Sequence, residues 1–344
     1  MIQPVATRLA EGVSSGIYDP SVDPAGLGVR AVGSHAASGE LLDVLRVTAD
    51  LGRPPTVEMA LRERATRFAP ARLAGLAPIV RIERGADGRL EVWSRRVEGF
   101  RLSAVLEWTE ARGVATPLEA ALTVGDRLLA ALASLQEADD ATGPSGHGAI
   151  AVDQVVVSES GALTLTDYAF GTALSALQWP RERLWRRFRI AMPPAAGLAR
   201  FDHRVDVTQA AVVICALLAG RLLGPEEYPR DIQSIVSDTV RRAGADAGRD
   251  DHDRLLTWLR AATEMEPRNA FRSAAAAREA LNAVLGHRIG DDEAVRRWLR
   301  DARGLPAEAP EPRQAPAPAP ALSVDVPVTR QSLWSRLRAW IGIG

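Results

Sequence analysis

The order of apolar and polar residues divides this sequence into a front part rich in short strands and a mainly helical remainder. Apolar and polar residues alternate in three short runs, which is typical of half-buried strands. The turn GADG (85–88) joins the last two runs into a predicted hairpin. Between the first two runs, residues 57–68 place Val57, Leu61 and Phe68 on one face of a predicted helix. The strand-like runs are LLDVLRV (41–47), IVRIER (79–84) and RLEVWSRRV (89–97).

From residue 100 onward the pattern is mainly helical. Thr116-Pro117-Leu118-Glu119 is a capping box with proline at the first helical position, and it predicts the start of a helix. A strand, a turn and a second strand interrupt the helices at 155–167, and residues 172–204 are predicted to be irregular. Short strands followed by helices predict an α+β fold. Further helices are predicted at about 205–223, ending at Gly224-Pro225, and at 251–265, 273–286 and 291–303, capped by Ser273 and by Asp291 or Asp292.

Composition narrows the chemistry, because the chain contains no lysine and all 42 basic residues are arginine. Arginine stays protonated, so Schiff-base chemistry and a lysine-containing phosphate loop are excluded. The formal net charge of −1 gives no bulk field that would attract nucleic acid. The single cysteine, Cys215, excludes a disulfide framework. No secretory signal is visible, and the longest uncharged run, 207–220, is too short to cross a bilayer, so a cytoplasmic location is predicted.

The composition changes sharply after Gly304. The run PAEAPEPRQAPAPAPA (306–321) cannot build a core, so residues 304–331 are predicted to form an extended, disordered linker. Residues 332–344, SLWSRLRAWIGIG, are apolar and basic together, and they predict a short amphipathic tail that docks weakly on a membrane surface or on a partner. The other predicted divisions are a front region (1–99), a helical region (100–288) and a C-terminal helix (289–303).

The most specific signal lies in residues 147–169, which read HGAIAVDQVVVSESGALTLTDYA. A loop that starts at His147 leads into a strand, a polar turn and a second strand that ends in Asp167-Tyr168-Ala169. This layout resembles the catalytic loop and the metal-binding Asp-Phe-Gly motif of protein kinases. Residues 97–102 are similar to the segment that follows the kinase hinge, and Asp206 is similar to the aspartate that anchors the catalytic loop. Over about residues 40–288 the chain therefore resembles the protein kinase-like superfamily, in particular bacterial Ser/Thr kinases.

The resemblance implies a bilobal α+β fold, with a small, degenerate β-rich N-lobe and a mainly helical C-lobe. It also places the family's functional positions on this chain. The catalytic base position holds Ala149, whose methyl group cannot accept a proton, and the lysine position two residues later holds Ala151. The metal-binding asparagine corresponds to Gln154, and the metal-binding aspartate is kept as Asp167. Two structural positions of the loop are also kept: His147 and Asp206.

The positions that grip the nucleotide are less well kept. The family's strand lysine would lie near Leu45 and Arg46. The glycine-rich phosphate cover would lie between residues 17 and 33, where no complete G-x-G-x-x-G occurs. The helix glutamate that pairs with the lysine corresponds to Glu58 or Glu63. Together these losses remove most of the groups that position and stabilise a transferred phosphate.

The segment from Trp179 to Arg189 interleaves five arginines with two tryptophans and a phenylalanine. Arginine and aromatic residues are frequent at binding hot spots, and arginine clusters suit acidic or phosphorylated partners. Two interpretations stay open: a partner-binding surface, or a short helix with its aromatics packed inward and its arginines in water. The candidate partner-binding residues are Trp179, Arg181, Arg183, Trp185, Arg186, Arg187 and Arg189.

The resemblance therefore implies a pseudokinase, a kinase-like domain without phosphotransfer. It would bind a protein, acidic or phosphorylated, as a scaffold or regulator in signalling, with no cofactor and no nucleic-acid partner. One alternative is a degenerate Ser/Thr kinase that binds ATP and Mg²⁺ weakly, with Asp167 and Gln154 as metal ligands. A second alternative is an unrelated α+β interaction domain, which would lack a small sheet packed over the helices.

Overall fold

The front part of the molecule is a four-stranded antiparallel sheet with the strand order β1-β2-β4-β3. The computed structural model describes residues 26–35, 38–69, 73–139, 146–194, 201–243, 249–263 and 270–305. All three predicted strands are present, and one further strand precedes them. The strands are β1 (Gly28–Ser34), β2 (Leu41–Val47), β3 (Ile79–Arg84) and β4 (Leu90–Arg95).

Strand β2 lies inside the sheet, and its alternation gives the sheet two different faces. Leu42 and Val44 pack against a tryptophan of β4 in a small separate cluster. Leu45, on the other face, lies in the main core. Because successive side chains of a strand point to opposite faces, Asp43 lies on the main-core side and Arg46 on the opposite side.

Two helices follow β2: α1 (Ala49–Gly52) and α2 (Pro55–Phe68). Proline is tolerated at the start of α2, because an N–H there would have no partner in the first turn. The buried face of α2 is apolar apart from one arginine in its middle. Its members are Val57, Leu61, Arg64 and Phe68.

The second part of the molecule combines a three-stranded sheet with a set of helices. Gly99 enters this sheet with a φ of 137°, and a Cβ atom there would lie 2.4 Å from the Val157 carbonyl oxygen, so the position requires glycine. The first elements of this part are β5 (Phe100–Arg101), α3 (Leu102–Arg112), α4 (Leu118–Asp139), β6 (Val155–Val157) and β7 (Leu163–Leu165).

The prediction that residues 172–204 are irregular was wrong for much of this segment. Two helices of eight residues each lie there, α5 (Phe170–Leu177) and α6 (Arg181–Phe188). Each has only about two turns, which is too short for a clear periodic pattern. The burial of α6 nevertheless follows its sequence, because its apolar residues are buried, two of its four arginines are exposed and the other two are half-buried.

The central helix of this part, α7 (His203–Ala219), is buried over nearly its whole length. Asp202 caps its start by accepting hydrogen bonds from the backbone N–H groups of Arg204, at 3.1 Å, and Val205, at 3.4 Å. The predicted end at Gly224-Pro225 was wrong. The helix already stops at Gly220, whose φ of 67° gives the left-handed conformation that closes a helix.

The remaining helices match the predicted ones closely, with α8 as an addition. Asp291, rather than Asp292, caps the last helix through the backbone N–H of Ala294. Of the predicted linker 304–331, residues 306–331 lie outside the described residues, and so does the whole predicted tail 332–344. Within the described ranges, no helix is both long and apolar enough to cross a membrane. The last helices are α8 (Ile232–Ala243), α9 (Arg249–Ala262), α10 (Ala274–Leu285) and α11 (Asp292–Arg303).

Candidate functional site

The loop that corresponds to a kinase catalytic loop is held from below by a buried carboxylate of α7. Asp206 accepts hydrogen bonds from the backbone N–H groups of His147, at 3.0 Å, and Gly148, at 2.7 Å, and from Gln136 Nε2, at 2.9 Å. Burial raises the pKa of Asp206, although these donors oppose the rise. A Cβ atom on Gly146 would lie 2.1 Å from this carboxylate, so the loop can approach Asp206 only with glycine there. The Asp206 carboxylate thus holds the backbone of this loop at His147 and Gly148.

A second side chain of α7 completes the anchor. Gln209 Oε1 accepts from the Ile150 backbone N–H at 2.8 Å, and its Nε2 donates to the carbonyl oxygens of Gly148, at 3.1 Å, and Ala191, at 3.2 Å. This residue was not found from the sequence. The signal was readable, because an amide in an apolar helix needs buried polar partners.

His147 is fully buried inside the loop. Its Nε2 donates to the Thr166 carbonyl oxygen at 2.9 Å, and its Nδ1 faces the Ala149 backbone N–H at 3.4 Å. Burial lowers the pKa of His147 from 6.5 to about 4, so the ring is neutral at physiological pH. Both ring nitrogens are engaged with backbone groups of the loop. This geometry gives the side chain a structural task and leaves neither nitrogen facing a reactant.

Asp167, at the position where the sequence analysis predicted a vestigial metal ligand, forms an ion pair with Arg30 of β1. Thr166 Oγ1 donates a second hydrogen bond to the same carboxylate at 3.0 Å. Burial alone would raise the pKa of Asp167, but Arg30 and Arg101 outweigh it and hold the pKa below its usual range. Burial lowers the pKa of Arg30, but the negative charges of Asp167 and Asp153 raise it by more, so that the pKa lies above its usual value. Both groups are therefore charged, and each neutralises the other.

Further charges surround this pair. Arg101 donates to the Asp153 carbonyl oxygen at 2.5 Å and to Thr166 Oγ1 at 3.4 Å, and Arg30 Nε lies 3.7 Å from Asp153 Oδ2. Asp43 of β2 also faces the cluster, and burial raises its pKa. The space enclosed by these residues with Leu45 and Val92 has no volume for a water molecule. The position of the metal motif is thus packed with the chain's own charged side chains.

Gln154 lies next to this cluster but faces a different space. Its Oε1 is buried and has no hydrogen-bond partner. The side chain lines a cavity of 540 Å³ that Asp167 does not line, while Arg30 and Arg101 line both spaces. The structure does not bring the two predicted metal ligands together around one opening. In the part of the chain that the structure describes, no group of three or more His, Cys, Asp or Glu is arranged to hold a metal ion.

The predicted nucleotide-gripping positions on β2 lie on opposite faces of the sheet. Leu45 faces the closed cluster, whereas Arg46 faces away and pairs with Glu91 at 3.0 Å. The glycine-rich cover is described only from Gly26 onward, and its first part lies outside the described residues.

Neither candidate glutamate of α2 reaches the cluster. Glu58 pairs with Arg62 at 2.8 Å and with Arg84 at 2.7 Å, and Glu63 pairs with Arg67 at 3.1 Å. These pairs lie at the solvent-facing side of the helix. On the described side chains, the family's lysine–glutamate pair has no counterpart at these positions.

A residue that the sequence analysis missed connects α2 to the loop. Arg64 is 2% exposed, and its Nη1 forms an ion pair with the fully buried Asp139 at 2.9 Å. Its Nε donates to the Tyr168 carbonyl oxygen at 3.1 Å, and its Nη2 to the Gly146 carbonyl oxygen at 2.9 Å. One guanidinium therefore ties helix α2, the end of α4, the loop and the segment after Asp167 into one unit.

The arginine-rich segment follows the inward-packed interpretation in its geometry. Trp185 and Phe188 are both 2% exposed, and Trp179 stacks on Phe188 with ring centroids 5.4 Å apart. The Arg183 guanidinium lies 3.6 Å from the centroid of the Trp179 ring, and Arg189 closes its own helix by donating to backbone carbonyls. Two arginines pair with acidic residues of other elements: Arg186 with Glu226 at 2.8 Å and Arg187 with Asp50 at 3.4 Å.

Partner binding through the arginine-rich segment stays a prediction. Of the two tryptophans, only Trp179 keeps partial exposure, and Arg181 is also half-buried. Arg183 and Arg186 are exposed, so they are the members of the predicted set that a partner could reach most directly.

Comparison with solved structures identifies this arrangement. The kinase domain of PknI from Mycobacterium tuberculosis matches over 83% of this chain and 100% of its own length, with 16% sequence identity and a TM-score of 0.55. Two mutant forms of that domain match over the same shares at the same identity, with TM-scores of 0.57 and 0.58. No protein-family model and no curated protein sequence matches the chain.

At this level of identity the likeness establishes the fold. The chain has a protein kinase-like fold, with a small antiparallel sheet as N-lobe and a helical C-lobe. This confirms the predicted fold class and the resemblance, and it removes the unrelated α+β domain from the alternatives.

Proposed function

We propose that this protein is a catalytically inactive kinase-like domain that serves as a protein-binding scaffold or regulator in signalling. The observation that carries the proposal is the buried ion pair between Arg30 and Asp167. It engages the one carboxylate that the resemblance keeps for a metal ion. The loop position of the catalytic base holds Ala149, which is fully buried and carries no titratable group.

Phosphoryl transfer depends on positioning and on neutralising charge with metal ions and basic side chains. In this fold Asp167 could serve a metal only after Arg30 withdrew. Withdrawal would leave a buried carboxylate and a partly buried guanidinium without each other, and breaking such a pair costs about 3–5 kcal/mol. A Mg²⁺–nucleotide complex would have to supply that free energy before any net binding. The missing base would still leave the attacking hydroxyl without a proton acceptor.

One observation favours the second candidate, a domain that binds nucleotide and metal. The Oε1 atom of Gln154 is buried without a partner, and an unsatisfied amide oxygen is a suitable ligand for a hard cation. For Gln154 and Asp167 to bind the same ion, Arg30 and Arg101 would have to move, because both arginines lie between the cavity beside Gln154 and the closed space around Asp167. The two candidates therefore differ in whether Arg30 yields to Mg²⁺–ATP.

Thermal unfolding of the full chain with and without about 1 mM Mg²⁺–ATP distinguishes the two candidate functions. We expect no rise of the unfolding midpoint, because Arg30 already occupies Asp167. A ligand with a Kd one hundred times below its concentration would stabilise the fold by about 2.7 kcal/mol. Asp167→Ala is the matched variant. A rise in the wild type that this variant abolishes would replace the proposal by the second candidate, and so would radiolabelled phosphate on a protein substrate.

The proposed partner is an acidic or phosphorylated protein, and the exposed arginines of α6 are its proposed contacts. Replacing Arg183 and Arg186 should change the stability of the fold little, because exposed ion pairs contribute about 0–1 kcal/mol. We expect Arg183→Glu/Arg186→Glu to reduce quantitative co-purification of the partner from the native cells at least about fivefold. Arg89→Glu/Arg241→Glu, which makes the same charge change at exposed sites elsewhere, is the control. Equal recovery with both variants would remove α6 from the proposed interface. Location in the cytoplasm stays a prediction.

A further inference from the structure

An open depression on the outer face of α6 brings three arginines together. Its volume is 420 Å³, and it is lined by Pro180, Glu182, Arg183, Arg186 and Arg187. Arg186 and Arg187 follow Arg183 by three and four positions, so the three side chains lie on one face of the helix. None of the lining residues borders the closed space around Asp167 or the cavity beside Gln154. With three cations and one carboxylate, the depression is a candidate site for an anion.

Arg183 is the fixed member of this set. Its guanidinium lies 3.6 Å from the centroid of the Trp179 ring, and Trp179 stacks in turn on the buried Phe188. The Arg183 side chain is exposed, and it has no hydrogen bond or ion pair with any other residue that the structure describes. Stacking on a ring leaves the N–H groups at the edge of a guanidinium available to an acceptor. Arg183 is therefore held in place for a ligand before one arrives, which lowers the entropy cost of binding.

Weak pairs hold the other two arginines beside Arg183. Arg186 Nη2 lies 2.8 Å from a Glu226 carboxylate oxygen, and both side chains are exposed. Arg187 Nε lies 3.4 Å from Asp50 of α1. Surface pairs of this kind contribute little to stability. A ligand that makes stronger hydrogen bonds can therefore replace either carboxylate without disturbing the fold.

A phosphate group matches this arrangement better than a carboxylate does. A phosphorylated side chain carries a charge of about −1.5 to −2 at pH 7 and three strong acceptor oxygens. A carboxylate carries one charge and two oxygens. Guanidinium groups bind phosphate oxygens in pairs through their planar forks, and three such forks face the depression. The phosphate can therefore engage all three arginines, whereas a single carboxylate cannot.

The surroundings favour a phosphate that is carried by a protein. Among the described lining residues none has a large apolar side chain, which a membrane-binding surface would insert between lipids. The formal net charge of −1 gives the chain no general attraction to an anionic lipid surface. The open shape of the depression leaves room for the peptide backbone on which a phosphorylated side chain is carried.

We propose that Arg183, Arg186 and Arg187 bind the phosphate group of a phosphorylated side chain on a partner protein, with Arg183 as the fixed anchor. The inference rests on the proposed function and makes it more specific, because it names the phosphate group, rather than acidic residues in general, as the feature that is recognised. On binding, the phosphate takes the place of Glu226 at Arg186 and of Asp50 at Arg187.

Retention of peptide libraries on the immobilised full chain tests the proposal. Three libraries share randomised flanking positions and differ at the centre, which is phosphorylated (phosphoserine, phosphothreonine and phosphotyrosine in equal parts), glutamate or unphosphorylated. We expect the phosphorylated library to be retained at least about tenfold more than the unphosphorylated one and at least about threefold more than the glutamate one. Arg183→Lys keeps the charge but loses the fork and its stacking, and should lower retention of the phosphorylated library at least about fivefold. Arg241→Lys, the same exchange at an exposed site on α8, is the control.

The outcomes separate this inference from the proposed function. Equal retention of the phosphorylated and glutamate libraries would overturn the inference but leave an acidic partner, and with it the proposed function, in place. Retention that does not depend on the central residue, or that Arg183→Lys leaves unchanged, would also overturn the inference. Stabilisation of the chain by Mg²⁺–ATP would instead overturn the proposed function, and it has no bearing on the library result.

A second variant tests whether the phosphate replaces the paired carboxylates. Glu226→Gln removes the exposed partner of Arg186 and should raise retention of the phosphorylated library about twofold or more, because a competing anion is lost. Glu159→Gln removes the exposed partner of Arg303 and should leave retention unchanged. Equal or lower retention with Glu226→Gln would refute the assigned contact at Arg186. Sedimentation with vesicles of phosphatidylcholine and phosphatidic acid tests the other source of phosphate. Vesicle binding that Arg183→Lys abolishes, without retention of the phosphorylated library, would assign the depression to lipid and overturn the proposal.

Discussion

Replacing Arg64 by methionine should lower the free energy of unfolding by about 4 kcal/mol, which is in the range found when one partner of a buried ion pair is removed. Methionine fills a similar space but cannot donate. The fully buried Asp139 would lose its ion pair with Arg64, while its pair with Arg67 is longer, at 3.4 Å from Nη1, and involves a side chain that is 32% exposed. The carbonyl oxygens of Tyr168 and Gly146 would also lose their donor. Urea-induced unfolding of the full chain measures the change.

Two further variants identify the cause of the loss. Arg62→Met changes an arginine half a turn away, 50% exposed and paired with Glu58 of the same helix, and should cost no more than about 0.5 kcal/mol. Arg64→Met/Asp139→Leu removes the whole ion pair. It should recover a large part of the loss, since an apolar pair leaves no buried charge behind. A loss as small as that of Arg62→Met would show that Arg64 does not hold the two lobes together.

The Arg64 interactions also bear on how this domain works. Its guanidinium connects α2 with the loop and with the segment after Asp167, so these elements are held in one arrangement. Moving α2 away from the loop would cost the full buried pair. The proposed regulator therefore presents a fixed surface to its partner, rather than one that is switched by movement of α2.

The local sequence pattern was sufficient to predict most helices and strands and their buried faces, because both depend on the spacing of apolar residues along the chain. Val57, Leu61 and Phe68 marked the buried side of α2, and Arg64 lies on that same side at helical spacing. An arginine inside an apolar stripe is therefore a readable sign of a buried partner. Alternation along β2 likewise separates Leu45 from Arg46, although it does not tell which face looks toward the loop.

The pair formed by Arg30 and Asp167 could not be predicted in this way. The two residues are 137 positions apart, and only the packing of the two lobes brings them together. Nothing in the local sequence of β1 distinguishes an arginine that faces the loop from one that faces water. The buried, unpartnered Oε1 atom of Gln154 and the cavity beside this residue are also consequences of tertiary packing. The sequence located the loop, and the folded chain determined what fills the space above it.

The ion pair gives the missing lysine a physical meaning. A lysine-free composition alone is compatible with exchange of lysine for arginine at the surface. At the loop, however, the cationic group comes from β1 as Arg30 and engages Asp167 directly. A guanidinium presents several donors in one plane and binds a carboxylate more firmly than a single ammonium point charge. An arginine in place of a lysine beside Asp167 therefore favours a carboxylate that stays paired over one that is released to a metal ion.

Acidification should destabilise this fold by about 3 kcal/mol through His147 alone. Its pKa is about 4 in the folded chain and 6.5 ordinarily, because burial disfavours the imidazolium. Between these values the unfolded chain binds a proton that the folded chain does not, so stability falls as the pH drops from 6.5 toward 4. At about 1.4 kcal/mol per pKa unit, the full difference amounts to about 3 kcal/mol. Unfolding free energies measured by urea titration across this pH range provide the test.

The variant His147→Gln isolates this contribution. The glutamine amide can still donate to the Thr166 carbonyl oxygen but does not titrate, so the fall in stability between pH 6.5 and 4 should shrink by about 3 kcal/mol. Carboxylates that are stabilised in the folded state, such as Asp167, also lose their contribution at low pH, and they do so equally in both proteins. If His147→Gln shows the same pH dependence as the wild type, the imidazole has the same pKa in the folded and the unfolded chain, and burial does not disfavour its charged form.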